Sequence, residues 1–144
     1  MSFVAWLVAA VLLQGLLTLA ALGVLSYVRV HFLRVGKVRA ADVVLSREPW
    51  PDRAKQASNT FDNQFQLPLL FYVGVALAIF FGPNLLEVVL AWVFAVSRWV
   101  HAFIYIVWNH VPSRATAFSF GFAALIVLWL DLMVRFIELA PTLG

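Results

Sequence analysis

From Ser2 to Tyr27 the chain carries no Asp, Glu, Lys, Arg or His. At about 1.5 Å per residue such a stretch fills the roughly 30 Å hydrocarbon core of a bilayer. It is twice as long as the apolar core of a signal peptide and has no basic segment before it, so it reads as a membrane span. Three more apolar runs follow, broken by Gly82-Pro83-Asn84 and Val111-Pro112-Ser113. Glycine and proline stop helices there, and the predicted spans cover about 2–28, 63–81, 85–108 and 115–137. The expected fold is an all-α integral membrane four-helix bundle, one domain over residues 1–144. With 64% hydrophobic and 12% charged residues, a soluble fold is excluded.

Charge is confined to particular stretches. Between Arg29 and Asp62 lie Arg29, Arg34, Lys37, Arg39, Arg47, Arg53 and Lys55, seven of the ten Lys and Arg. This segment reads as one large polar loop, with a turn at Glu48–Pro51 because proline disfavours helix in the residue before it. Loops one and three, the latter carrying Arg114, are expected on the cytoplasmic side, which places both termini on the non-cytoplasmic side. The same bias explains the pI of 9.8 without nucleic acid as a partner. With no cysteine the chain has no disulfide, thiolate metal site or cysteine nucleophile.

Polar side chains inside apolar runs are costly unless they face a partner or a wet cavity, which makes their positions informative. Gln14 is expected to be packed against another helix, with Gly15 and Gly23 permitting close approach. Asn59, Asn63 and Gln66 share one helical face at the start of the second span, and Pro68 frees the carbonyl of Gln64 beside them. On the third span Arg98, His101, Tyr105 and Trp108 form a second stripe. Arg98 needs acceptors, and Gln66, Asn63 and Asp62 lie at matching depth. The two stripes read either as glue between helices or as a polar site, and their excess over what association requires favours the site. Arg114, after Pro112, is placed to point back over a cavity between helices or to anchor at the surface. His101 reads as a packing residue more than a base. No metal site is expected, since His101 and His110 fall on opposite faces with no acidic pair. A nucleotide-binding glycine loop and a Ser-His-acid set are absent from the sequence. Asp131 and Arg135 are expected to pair at i,i+4.

Four spans of this length, the basic Gly36-Lys37-Val38-Arg39 loop and the block Asn63-Gln64-Phe65-Gln66-Leu67-Pro68 combine with Arg98, His101, Tyr105, Pro112 and Arg114 in one order. In that order and spacing the chain resembles the MAPEG family, the membrane-associated proteins in eicosanoid and glutathione metabolism. It is most similar to the microsomal glutathione transferase and prostaglandin E synthase branch, as a divergent, bacterial-like member. The resemblance implies a homotrimer with sites between subunits, open toward the cytoplasmic half of the membrane, where glutathione meets a lipophilic small molecule or lipid. Arg39, Asn63, Gln66, Arg98, His101 and Tyr105 would line the glutathione pocket. Arg114 would hold the sulfur as thiolate, with Tyr105 as a second catalytic donor. Two positions depart from catalytic relatives, which carry a glutamate where this chain has Gln66 and an arginine where it has Asn59. The implied activity is that of a membrane-bound glutathione transferase, with peroxidase activity as a second expectation. The alternatives are a non-enzymatic trimer that binds lipid or activates a partner and, with no inverted repeat to support it, a small transporter.

Overall fold

The computed structural model describes residues 1–142. Helix α1 (Phe3–Arg34) starts where the Ser2 hydroxyl accepts the Ala5 amide, and it ends with His31 and Arg34 in its last turn, where cations suit the helix dipole. A loop with a short 3-10 turn (Ala40–Val43) leads to α2 (Asp52–Asp62), and a second 3-10 turn (Asn63–Phe65) separates α2 from α3 (Leu67–Phe81). Pro68 occupies the first turn of α3, where its missing N–H costs no hydrogen bond. Gly82, at φ +85°, turns the chain into α4 (Leu85–Val107), capped by reciprocal bonds between Asn84 and Glu87. After a turn through Asn109, the His110 side chain caps α5 (Val111–Leu139).

Taken through the break, α2 and α3 form one of four helical segments long and apolar enough to cross a membrane. The loop after α1 and the α4–α5 turn lie at one end of the bundle, while the α3–α4 turn lies at the other. Helices α4 and α5 share the most extensive interface, and α1 packs on α4. The core joins Leu7 and Ala10 of α1, Phe71 and Val75 of α3, Phe94 and Ala95 of α4, and Leu125 and Leu128 of α5. Phe71 and Phe94 stack with centroids 4.6 Å apart. Lipid is as apolar as these side chains, so close packing and interhelical hydrogen bonds hold the bundle. Gly121 lets α5 approach Ser97 of α4, and Gly74 sits against Leu128. The indoles of Trp92 and Trp99 donate to the Trp6 and Leu13 carbonyls, which ties α4 to α1.

Several expectations are corrected. Helix α1 continues through Arg29 to Arg34, α5 begins at Val111, and Asp52–Asp62 is helical, so the large polar loop shrinks to 35–51. It is tied down by Trp50, buried with Val38 and Ala54, while the Arg29 guanidinium lies over the indole and donates to Ser58 at 3.0 Å. Arg135 does not pair with Asp131. It meets the fully buried Glu87 at 2.5 Å and donates to the Phe81 and Gly82 carbonyls, clasping the α3–α4 turn, while Asp131 accepts from Asn84. A β-carbon added at Gly15 or Gly23 would meet nothing within 4 Å, so neither glycine is required for a close helix contact within the chain. Gln14 is packed as expected: it is fully buried and donates to Gln64, which donates in turn to the Thr60 carbonyl.

Candidate functional site

Asp62 lies 19 residues before Phe81 and Tyr105 lies 20 after Leu85. At about 1.5 Å per residue both are roughly 28–30 Å from the α3–α4 turn, close to the full hydrocarbon thickness. With the α3–α4 turn at one face of a bilayer, residues at this level would meet the opposite boundary of acyl chains and headgroups, where charge is tolerated. A cleft of about 470 Å³ opens there, between the junction of α2 and α3, the last turns of α4 and the first turns of α5.

One wall comes from the junction. Asn59, Asp62, Asn63 and Gln66 all face the cleft, although the backbone leaves helical geometry at Gln66, with φ −98° and ψ −102°. The expected stripe of amides therefore converges across a broken helix. The 3-10 turn rotates Gln64 to the opposite side, into its pairing with Gln14. Of the acceptors expected for Arg98, Asn63 is the one bound, through its main-chain oxygen.

The opposite wall is built on α4 and α5. Tyr105, near the end of α4, accepts at its hydroxyl from Asn59 Nδ2 at 3.1 Å, and its backbone carbonyl accepts from Gln56. Arg114, in the first turn of α5, lays its guanidinium over the Tyr105 ring, 4.0 Å from the centroid. Such a contact contributes about 0.5–2 kcal/mol and, more to the point, fixes a flexible cation in place. The second support is Asn109 at φ +48°, a left-handed conformation that asparagine tolerates, whose side-chain oxygen accepts from Arg114 Nη1 at 2.7 Å. His101 bridges the two helices, with Nδ1 3.0 Å from the Arg114 carbonyl oxygen and its ring edge-on to Tyr105. Because a carbonyl only accepts, the proton sits on Nδ1, leaving Nε2 as a buried acceptor without a partner among the described residues.

Arg98 is only 2% exposed and lies behind the cleft wall. Its Nη2 donates to the Asn63 carbonyl at 3.0 Å and its guanidinium lies 5.8 Å from the Phe118 centroid. It props the α2–α3 junction against α4 and α5.

Of the residues expected to form the site, Asn63, Gln66, His101, Tyr105 and Arg114 line this cleft and Arg98 supports it. Arg39 is exposed on the loop, ahead of the first 3-10 turn, and is not on the cleft wall of its own chain. Trp108 leaves the stripe: it ends α4, is exposed, and packs edge-on to Phe103. Asn109 and Phe118 were not anticipated. The signal for Phe118 was its i,i+4 relation to Arg114, and that for Asn109 was an asparagine at the stop of a helix, where a left-handed residue is common. Asp62 also stands on the wall, held by Arg47 of the loop at 2.5 Å. The Asp62 carboxylate keeps the exposed Arg47 guanidinium above its ordinary range, by hydrogen bonding first and charge second.

A second, larger hollow of about 860 Å³ lies on the other side of the α2–α3 junction. Its walls are almost wholly apolar, with Gly15, Leu16 and Leu19 of α1 opposite Phe65, Leu69 and Tyr72. The four residues of the break therefore divide, Asn63 and Gln66 facing the polar cleft, Gln64 and Phe65 the apolar hollow. Among the described residues no group of His, Asp and Glu is arranged to hold a metal ion.

No curated protein and no solved structure matches the chain. A family model does, over residues 3–134, nearly the full length. With its four membrane-capable helices and this match, the chain is an integral multi-pass membrane protein of the MAPEG family, which includes glutathione transferases and related enzymes.

Proposed function

We propose that the protein is a membrane-bound glutathione transferase that joins glutathione to lipophilic electrophiles in the cleft beside Arg114. The observation that carries this reading is the fixed guanidinium of Arg114, stacked on Tyr105 and held by Asn109 at the edge of a polar cleft. A thiol with a pKa near 8.5 is mostly protonated at neutral pH, and the thiolate is the nucleophile. A preorganised cation next to the sulfur lowers the free energy of the thiolate and of the attacking state in a medium of low dielectric. The thiol proton leaves to water at the headgroup level. The sulfur lone pair forms the new S–C bond as the leaving group departs or the unsaturated carbon takes the charge. The Tyr105 hydroxyl, already accepting from Asn59, has its own proton free to donate to the thiolate or the developing anion.

The lipophilic partner arrives from the bilayer, and the apolar hollow across the junction supports such a partner. The functional unit we infer is a homotrimer, in which an adjacent protomer closes the open side of the cleft. In that arrangement Arg39, remote from the cleft of its own chain, serves the cleft of a neighbour. A second reading is a trimer that binds lipid without chemistry or activates a partner. The neutral side chains at Asn59 and Gln66 favour it, since they leave the amide wall with Asp62 as its one charge.

The test is turnover of glutathione with a halonitrobenzene by the purified protein in detergent. Arg114→Ala is expected to lower kcat about a hundredfold, in line with loss of one fixed donor to a developing anion, with the oligomer unchanged by native mass spectrometry. Arg114→Lys is expected to fall between, since ammonium keeps the charge but not the planar stack. Equal rates for native and Arg114→Ala would refute the role. Lipid binding with no turnover and no glutathione affinity would favour the second reading.

A further inference from the structure

Arg47 and Asp62 stand 15 residues apart and form an ion pair at the mouth of the cleft. Both side chains remain accessible, 62% and 41% exposed. A pair this exposed contributes about 0–1 kcal/mol to stability, so holding the fold together does not require it. The position is nevertheless defined. Trp50, buried three residues after Arg47, anchors the loop, and Asp62 closes the last turn of α2 on the cleft wall. The contact uses one guanidinium nitrogen and one carboxylate oxygen, and among the described residues neither group makes another hydrogen bond. Four N–H donors of Arg47 and the second oxygen of Asp62 are thus free to bind a guest.

We propose that Arg47 and Asp62 together receive the zwitterionic α-amino-acid end of the thiol peptide, the ammonium on Asp62 and the carboxylate on Arg47. This rests on the glutathione reading above and names the part of the ligand that the mouth of the cleft selects. An α-amino acid carries its two opposite charges on adjacent atoms, and the ion pair presents the complementary charges side by side. A simple anion meets repulsion from Asp62 and a simple cation meets repulsion from Arg47, so only a guest bearing both charges is matched. The remaining wall side chains, Asn59, Asn63 and Gln66, are neutral amides that add hydrogen bonds without competing for charge. At the edge of the hydrocarbon the effective dielectric is below that of water, which strengthens both contacts. With the amino-acid end at Asp62, the thiol extends across the cleft toward Arg114 on the opposite wall.

The experiment compares glutathione with N-acetylglutathione, which keeps the thiol and both carboxylates but lacks the ammonium, in native protein, Asp62→Asn, Asp62→Glu and Arg47→Gln. Native protein is expected to show a KM at least tenfold lower for glutathione than for the acetylated peptide, the range of one charge-assisted hydrogen bond. Asp62→Asn is expected to raise the glutathione KM to that of the acetylated peptide with kcat little changed, and Asp62→Glu to restore the preference. Arg47→Gln is expected to raise KM for both peptides. The proposal is overturned if native protein uses the two peptides equally, or if Asp62→Asn keeps the preference; turnover in those cases leaves the transferase reading standing. If native protein turns over neither peptide, the transferase reading fails and this proposal falls with it. Oligomeric state by native mass spectrometry shows that each variant is assembled.

Discussion

A β-carbon placed on Gly121 would lie 2.3 Å from the Ser97 hydroxyl oxygen and 3.4 Å from the Ser97 β-carbon. Gly121→Ala therefore forces a response at the α4–α5 interface. Either the hydroxyl rotates away, giving up its 2.7 Å bond to the Phe94 carbonyl at about 1 kcal/mol, or the helices part at about 1–3 kcal/mol. Alanine is the better helix former by up to about 1 kcal/mol, so the net change in the single variant runs from about zero to about 3 kcal/mol destabilising. The interaction between the two positions is the decisive quantity. In Ser97→Ala/Gly121→Ala the clashing oxygen is gone and the closest approach becomes the 3.4 Å carbon contact. A double-mutant cycle should give a coupling of about 1–3 kcal/mol in favour of the double variant, while helix propensity cancels. Unfolding in mixed micelles by increasing SDS, followed for the four proteins, measures it. The same parting of helices would stretch the His101 contact with the Arg114 carbonyl one turn away, so glutathione KM should rise in Gly121→Ala and recover in the double variant. Additive stabilities within about 0.5 kcal/mol would refute the reasoning.

Other consequences are open to direct measurement. Gln14→Leu leaves the buried Gln64 amide oxygen without its donor and should destabilise by about 1–3 kcal/mol, whereas Gln14→Leu/Gln64→Leu should recover most of it; SDS titration of both separates a paired polar contact from simple packing. Arg135→Ala strands the fully buried Glu87 carboxylate and should cost about 3 kcal/mol in the same assay, with Glu87→Gln/Arg135→Met closer to native. Tyr105→Phe removes the acceptor of Asn59 but keeps the ring under Arg114, so kcat should fall about tenfold, less than for Arg114→Ala, as read in the conjugation assay.

The four spans were legible because lipid imposes a single requirement, an apolar exterior with every backbone group bonded internally, and that requirement is written in composition. Asp52–Asp62 was misread as loop for the same reason. Its outer face is charged, and the small Ala54, Ala57 and Ser58 on its inner face carry little hydropathy signal. The convergence of Asn63, Gln66, His101, Tyr105 and Arg114 followed from helical spacing and a turn length, which survive a local break. What spacing could not supply was any choice among distant partners. Arg135 had Asp131 one turn away on its own helix and Glu87 48 positions earlier, and the tertiary fold selected the latter. The placement of Arg47 beside Asp62 depends likewise on how Trp50 seats the loop.

Because Arg98 grips the peptide oxygen of residue 63, that bond does not depend on the side chain there. The backbone of one residue thus serves the strut while its side chain faces the cleft. The cleft-facing side chain at 63 can therefore change while the bond that holds the buried Arg98 is kept.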